Sequence, residues 1–281
     1  MWLNSHIDFN SIKKYARLFL TTVFFLSATS CGNQFTGFAN RNTDLSLLAS
    51  AEKSLRDGNY AGAINYCTYM SAGFGLRPKV SAICASAYAG RAGFSFIGMI
   101  DDLALAGVPV MESFLTITAS AQDIADANTA ISIVRAQGAA SARSNDQNAF
   151  MVLLTLWQIA MIADNVGDAD LDSLLDGGAD MCTDVTAAGF DQELATAFWE
   201  LYQSVVALQS ITYYANLKTT LDALGVLLAA LVPSQDFRGA VSPDAFTVDE
   251  QKGVFTLLKE GAAIGLDQCT GGQSIATCSC P

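Results

Sequence analysis

Histidine is the side chain best suited to acid–base and nucleophilic work near neutral pH. This 281-residue chain has one, His6. Ser-His-Asp triads, Cys-His dyads and His-ligated zinc are therefore excluded from the body of the chain. Chemistry would rest on carboxylates, Lys, Tyr or Cys, and two groups of such residues stand out. Asp164, Asp168, Asp170, Asp172, Asp176 and Asp180 crowd one short stretch, several at alternate positions. Carboxylates so placed offer the hard oxygen ligands that Ca²⁺ takes. The second group is cysteine: Cys67, Cys84, Cys182, Cys269, Cys278 and Cys280, with Cys31 standing apart near the N-terminus.

An even set of six cysteines in an exported chain points to disulfides, with 15 connectivities open. Cys67 and Cys84 fall on adjacent predicted helices and form the first expected pair. Cys182, in an acidic loop, is then left to bridge to the tail, where Cys269 pairs with Cys278 or Cys280. Zinc is the alternative for the tail, whose spacing contains no C-x-x-C pair.

Counted from Asp168, the acidic stretch resembles an EF-hand or dockerin-type loop. Positions 1, 3, 5 and 9 are Asp168, Asp170, Asp172 and Asp176. Position 6 is Ser173 where that family has Gly, and position 12 is Ala179 where it has a bidentate Glu. A count from Asp164 puts Val166 at position 3. The resemblance implies a structural Ca²⁺ with no catalytic role; the competing expectation is a solvated acidic loop between core helices. Glu112-Ser113 matches the pair at the catalytic acid of lytic transglycosylases, but Leu115-Thr116-Ile117-Thr118 departs from the Gly-Leu-Met-Gln-type segment of that family. Glu112 is expected to be an exposed residue in a helical turn after Pro109. Tyr202, Tyr213, Tyr214, Trp157 and Trp199 would line a groove or, at their helical spacing, form core and core edge.

The N-terminus reads as an address. Lys13, Lys14 and Arg17 precede an apolar stretch, Leu18–Ala28, which is too short to span a bilayer and suits a signal-peptide core. Leu26-Ser27-Ala28-Thr29-Ser30-Cys31-Gly32 then resembles a bacterial lipobox, with Ala28 where Leu is commonest. The resemblance implies cleavage before Cys31 and its lipidation. Gly32, in place of the Asp that retains enterobacterial lipoproteins at the inner membrane, implies the outer membrane, facing the periplasm. Cell-surface display or secretion is the alternative. Residues 1–30 form the signal, 31–42 a polar tether, 43–266 a single all-α domain and 267–281 a Cys/Gly-rich tail.

The body reads as helical throughout. With 51% hydrophobic and 15% charged residues, the chain has too much apolar content to be disordered. Apolar residues recur at helical spacing over 44–56, 60–70, from 78 through 88 before a break that Gly90 and Gly93 allow, and over 121–135, 191–215, 220–231 and 248–264, with no sustained period-2 alternation. Residues 145–163 are apolar on almost every side, as expected of a helix buried at the centre of the core. The stretch Leu55-Arg56-Asp57-Gly58-Asn59-Tyr60-Ala61-Gly62-Ala63-Ile64, followed by Pro78, resembles a tetratricopeptide (TPR) hairpin, and hairpins starting at 44 and 78 share the TPR period. The plan is similar to the helical T component of TRAP-type transporters. An all-α, TPR-like superhelix or bundle around a buried central helix is the expected architecture.

Without residues 1–30 the chain keeps 12 basic and 26 acidic residues. A charge so negative repels phosphate backbones and excludes nucleic acid as a partner. The expected function is that of a non-enzymatic binding or scaffolding protein, held to the membrane by its N-terminal lipid, with a protein partner in the envelope and no cofactor beyond structural Ca²⁺. The rivals are a small-molecule-binding lipoprotein of a transport system and a carboxylate-based hydrolase.

Overall fold

The computed structural model describes residues 42–94, 119–168, 176, 179–231, 233–240, 242–259 and 278–281. The chain divides into two compact units, Met1–Ser46 and Leu47–Pro281. The described part of the first is the start of helix α1 (Asp44–Arg56), where the Ser46 N–H donates to Thr43 Oγ1 at 3.3 Å. All regular structure among the described residues is helical. After α1 come α2 (Tyr60–Thr68), the single turn α3 (Ala72–Gly75), α4 (Pro78–Arg91) and α5 (Ala121–Arg135). They are followed by α6 (Asn145–Gly167), α7 (Met181–Ala188), α8 (Asp191–Ala207), α9 (Thr212–Leu231), three 3₁₀ turns and α10 (Val248–Lys259).

α6 is the axis of the larger unit. Its length and composition would let it cross a membrane, but fifteen of its 23 residues, from Asn148 to Gly167, are buried. α8 packs along it, α5 and α7 lie against other sides, and α4 covers α5. Leu154, Ile159, Met161 and Ile162 are fully buried. Each such side chain contributes about 1.5–3 kcal/mol over leaving it exposed. Both α5 and α6 begin at serine capping boxes. Ser120 and Asp123 exchange bonds, as do Ser144 and Gln147, so two orphan donors are satisfied at each start. Proline at the first position of α4 fixes φ where no N–H partner is needed.

The first four helices form a layer with their own core: Leu47, Ala51, Met70, Phe74, Val80 and Cys84. Gly90 lets α4 approach α2 closely. A Cβ there would sit 2.3 Å from the Tyr60 ring. Arg91 donates twice to Asp126, at 2.5 and 2.7 Å, fastening α4 to α5.

Three expectations are corrected. Residues 191–215 are not one helix. α8 ends at Ala207, and the Leu208 N–H closes the last turn on Ser204 and Val205. α9 begins at Thr212, so the predicted start at 220 falls inside it. Cys182 lies not in a loop but in the first turn of α7, capped by Asp180, whose Oδ1 accepts the Cys182 N–H.

Candidate functional site

Two disulfides staple the larger unit. Cys67 at the end of α2 is bonded to Cys84 in α4, 17 residues on. Cys182 in α7 is bonded to Cys280, closing 98 residues. Both match the expected pairings. Cys278 is also disulfide-bonded; Cys269 lies outside the described residues. The chain end is built into the core. The Cys280 N–H donates to Thr256 Oγ1 (3.0 Å), its carbonyl accepts from Gln235 Nε2 (2.8 Å), and all three residues are buried. These bridges point to an oxidising compartment outside the cytoplasm.

The acidic stretch begins inside α6, not after it. Asp164 is 1% exposed and accepts the Ala119 N–H at 3.0 Å. Burial pushes its carboxyl up, the Ala119 bond pulls it down, and nearby Asp168 raises it again, for a net rise. Asp168 caps α6 and is also buried. Asp170 and Asp172 lie outside the described residues. Asp176 is half-buried, and its N–H donates to the Gly167 carbonyl. Among the described residues no three His, Cys, Asp or Glu side chains are grouped so as to hold a metal. Asp164, a candidate ligand by sequence, is thus committed to fixing the entry of α5.

The aromatic residues are core and core edge. Trp157 is buried, edge-on to Phe94. Trp199 Nε1 donates to the Ala240 carbonyl. Tyr202 stands edge-on to Phe237 and donates to Asp222 at 2.8 Å. Burial and that bond push its hydroxyl up to about 12. Burial alone would raise Asp222, but bonds from Lys218 and Tyr202 outweigh it and hold the carboxyl low. Asp236 is held low by the two bonds from Arg238. Arg238 Nη1 also donates to the Asp222 backbone carbonyl at 3.4 Å, so these contacts bind α8, α9 and the second 3₁₀ turn (Phe237–Gly239) together. The side chain of Tyr213 and residue Glu112 lie outside what the structure describes, as does Cys31.

Sequence reading missed a buried ion pair. Arg143, in the α5–α6 connection, donates from Nη2 to Glu200 of α8 at 2.7 Å, with the two side chains 0% and 1% exposed. Among the described residues its Nε and Nη1 and the Asn148 Oδ1 find no hydrogen-bond partner. A lone Arg in a polar connection looks like a solvated residue, so no local signal marks it.

The described surface also carries a half-open pocket of about 180 Å³ where the starts of α4 and α6 meet the end of α5. Pro78, Ala82, Val134 and Phe150 make it largely apolar, with Ser86 and Asp146 also in the lining. No Trp or Tyr lines it. These features define a disulfide-stapled, all-α protein with a buried central helix. Comparison with protein-family models, curated proteins and solved structures finds no match to this chain.

Proposed function

We propose that the chain is a lipid-anchored helical binding protein of the bacterial envelope, held by Cys31 at the periplasmic face of the outer membrane and grasping a partner protein. The observation that carries the reading is the pocket between α4, α5 and α6. Ligand sites usually enclose about 300–1,000 Å³. A half-open apolar pocket of about 180 Å³ suits a side chain from a docked segment better than an enclosed small molecule. The disulfides fit the exported location that the signal and lipobox imply. Degenerate TPR-like hairpins are the finer reading of α1–α4, supported by Pro78 opening α4 and by the Tyr60 ring packed on Gly90.

The test places a photocrosslinking residue at Ala82, in the pocket, and at Thr186, exposed on α7. The expected result in intact envelopes is one discrete adduct from position 82 and none from 186. No adduct at either, or the same adducts at both, overturns the reading. Cys31→Ala is expected to block signal cleavage and move the protein out of the outer-membrane fraction. Normal size and fractionation would remove the anchor.

A further inference from the structure

The pocket where α4, α5 and α6 meet is largely apolar and carries charge of one sign only. α4 contributes Pro78, Ala82 and Ser86, spaced four apart and so on one face. α6 contributes Asp146, Gln147 and Phe150 from its first two turns, and Val134 stands at the end of α5. The walls are held in place. α5 packs against both α4 and α6, and the Ser81 hydroxyl donates to the Ile133 carbonyl at 3.1 Å, joining α4 to α5 at the pocket.

The polar groups of the lining differ in what they are free to do. Ser81 Oγ is committed to Ile133, and Gln147 Oε1 accepts the Ser144 N–H at 2.8 Å in the cap of α6. Asp146 is the one charged residue of the lining, and it is exposed. Among the described residues no Lys or Arg pairs with it. Lys79, next to Pro78 in the chain, is paired instead with Glu52 of α1 at 2.7 Å. The pocket is an apolar recess with one carboxylate and no basic residue in its lining.

We propose that this pocket receives a Lys or Arg side chain of the partner segment, its methylenes against Pro78, Ala82, Val134 and Phe150 and its cationic head at Asp146. This rests on the reading of the pocket as a protein-docking site. Either side chain has a long apolar stem and a head that stays at the water boundary, which a half-open apolar recess of about 180 Å³ accommodates. A purely apolar occupant would take the Asp146 carboxylate partly out of water with nothing to compensate it, and burying a charge without a partner is costly. An acidic occupant would meet Asp146 and a protein of net charge −12. The same field draws basic segments toward the surface.

The probes are butylammonium and propylguanidinium, which reproduce the Lys and Arg side chains beyond Cα, with butanol as the neutral and valerate as the anionic counterpart. Each is titrated at low salt into the protein without its signal, carrying isotope-labelled Ala and Val methyl groups, and the NMR shifts of Ala82 and Val134 are read. Both cations are expected to bind about two- to fivefold more tightly than butanol, the range of a solvent-exposed ion pair, and valerate most weakly. The preference should vanish in Asp146→Asn and fade in high salt. Asp146 lies outside the Ser144–Gln147 capping box, so that variant keeps the start of α6. Ala82→Leu, at an exposed position of α4, should fill the recess and abolish the Val134 shift with every probe. Unchanged circular dichroism verifies the fold of both variants. Butanol or valerate binding as tightly as the cations, a preference that survives Asp146→Asn, or no shift with any probe overturns the proposal. Photocrosslinking reads the docking itself. An adduct from position 82 without a cation preference removes this proposal alone, and a cation preference without an adduct removes the partner protein and leaves the site.

Discussion

Replacing Glu200 by Leu removes one half of the Arg143–Glu200 pair and leaves a buried guanidinium against α8. The Arg143 side chain is 0% exposed, and its Nη2 bond to Glu200 is the short contact of its charged group at 2.7 Å; Ser204 Oγ lies at 3.5 Å. Nε and Nη1 already lack partners among the described residues, so none of these takes up the charge. Breaking such a pair from one side costs about 3–5 kcal/mol, whereas replacing both partners by apolar residues of similar volume is often neutral or stabilising. For a domain of this size 1 kcal/mol moves Tm by about 2–4 °C. Glu200→Leu should therefore lower Tm by roughly 6–20 °C. Arg143→Met should do the same for the converse reason, and the double variant should recover most of the loss. Thermal and urea unfolding followed by circular dichroism supplies the four corners of the cycle. Simple additivity of the single losses, or a loss below about 1 kcal/mol for Glu200→Leu, refutes the claim that this charge is buried and depends on its partner.

Asp164 has a raised carboxyl in the folded protein. The stability it contributes is full below the unfolded carboxylate range near 3.9 and is lost as pH rises through the folded value. Asp164→Asn keeps an acceptor for the Ala119 N–H, and should flatten the pH dependence of Tm just above that range and raise Tm at neutral pH; an unchanged profile counts against the burial of Asp164. Thiol alkylation of the denatured, unreduced mature protein should label none of the six cysteines from Cys67 to Cys280, and labelling of three or more would discard the stapled tail. The joint replacement Cys182→Ala with Cys280→Ala opens the 98-residue span, for which the chain-entropy model gives about 4.7 kcal/mol, measurable as a lower urea midpoint. Gly90→Ala should cost about 1–3 kcal/mol by overpacking against Tyr60, and Tyr60→Leu should relieve part of that cost in the double variant.

Where local chemistry dictated structure, the sequence could be read. The helical spacing over 121–135 places α5 at its observed bounds, where Ser120 caps it. The apolar run from Phe150 to Ile162 identifies the central helix. Cys67 and Cys84 sit one helix apart, close enough in the chain for their pairing to be inferred. Distant partners were not legible. α6 runs on to Gly167 rather than ending at 163, and there Asp164 meets Ala119, 45 residues earlier. The break between α8 and α9 carries no Gly or Pro, and the apolar spacing continues across it. α7 did have boundary signals, the Asp180 cap and Gly189 in the left-handed region at φ 78°, but the acidic composition around it suggested a loop. The pocket is assembled from side chains of three helices, so no single stretch announces it.

The Cys182–Cys280 bridge makes one layer of the core depend on residues far apart in the chain. Cys280 supplies the partner for Cys182, the donor to Thr256 and the acceptor for Gln235, so α7, α10 and the first 3₁₀ turn are fastened by a residue that follows all three. Chains generally begin to fold from the end made first. The layer of α1 to α4 has its own core and its own bridge within a short span, so it can close early, while the α7 layer is sealed late and only where thiols are oxidised. The two disulfides thus act as an early and a late latch on one molecule.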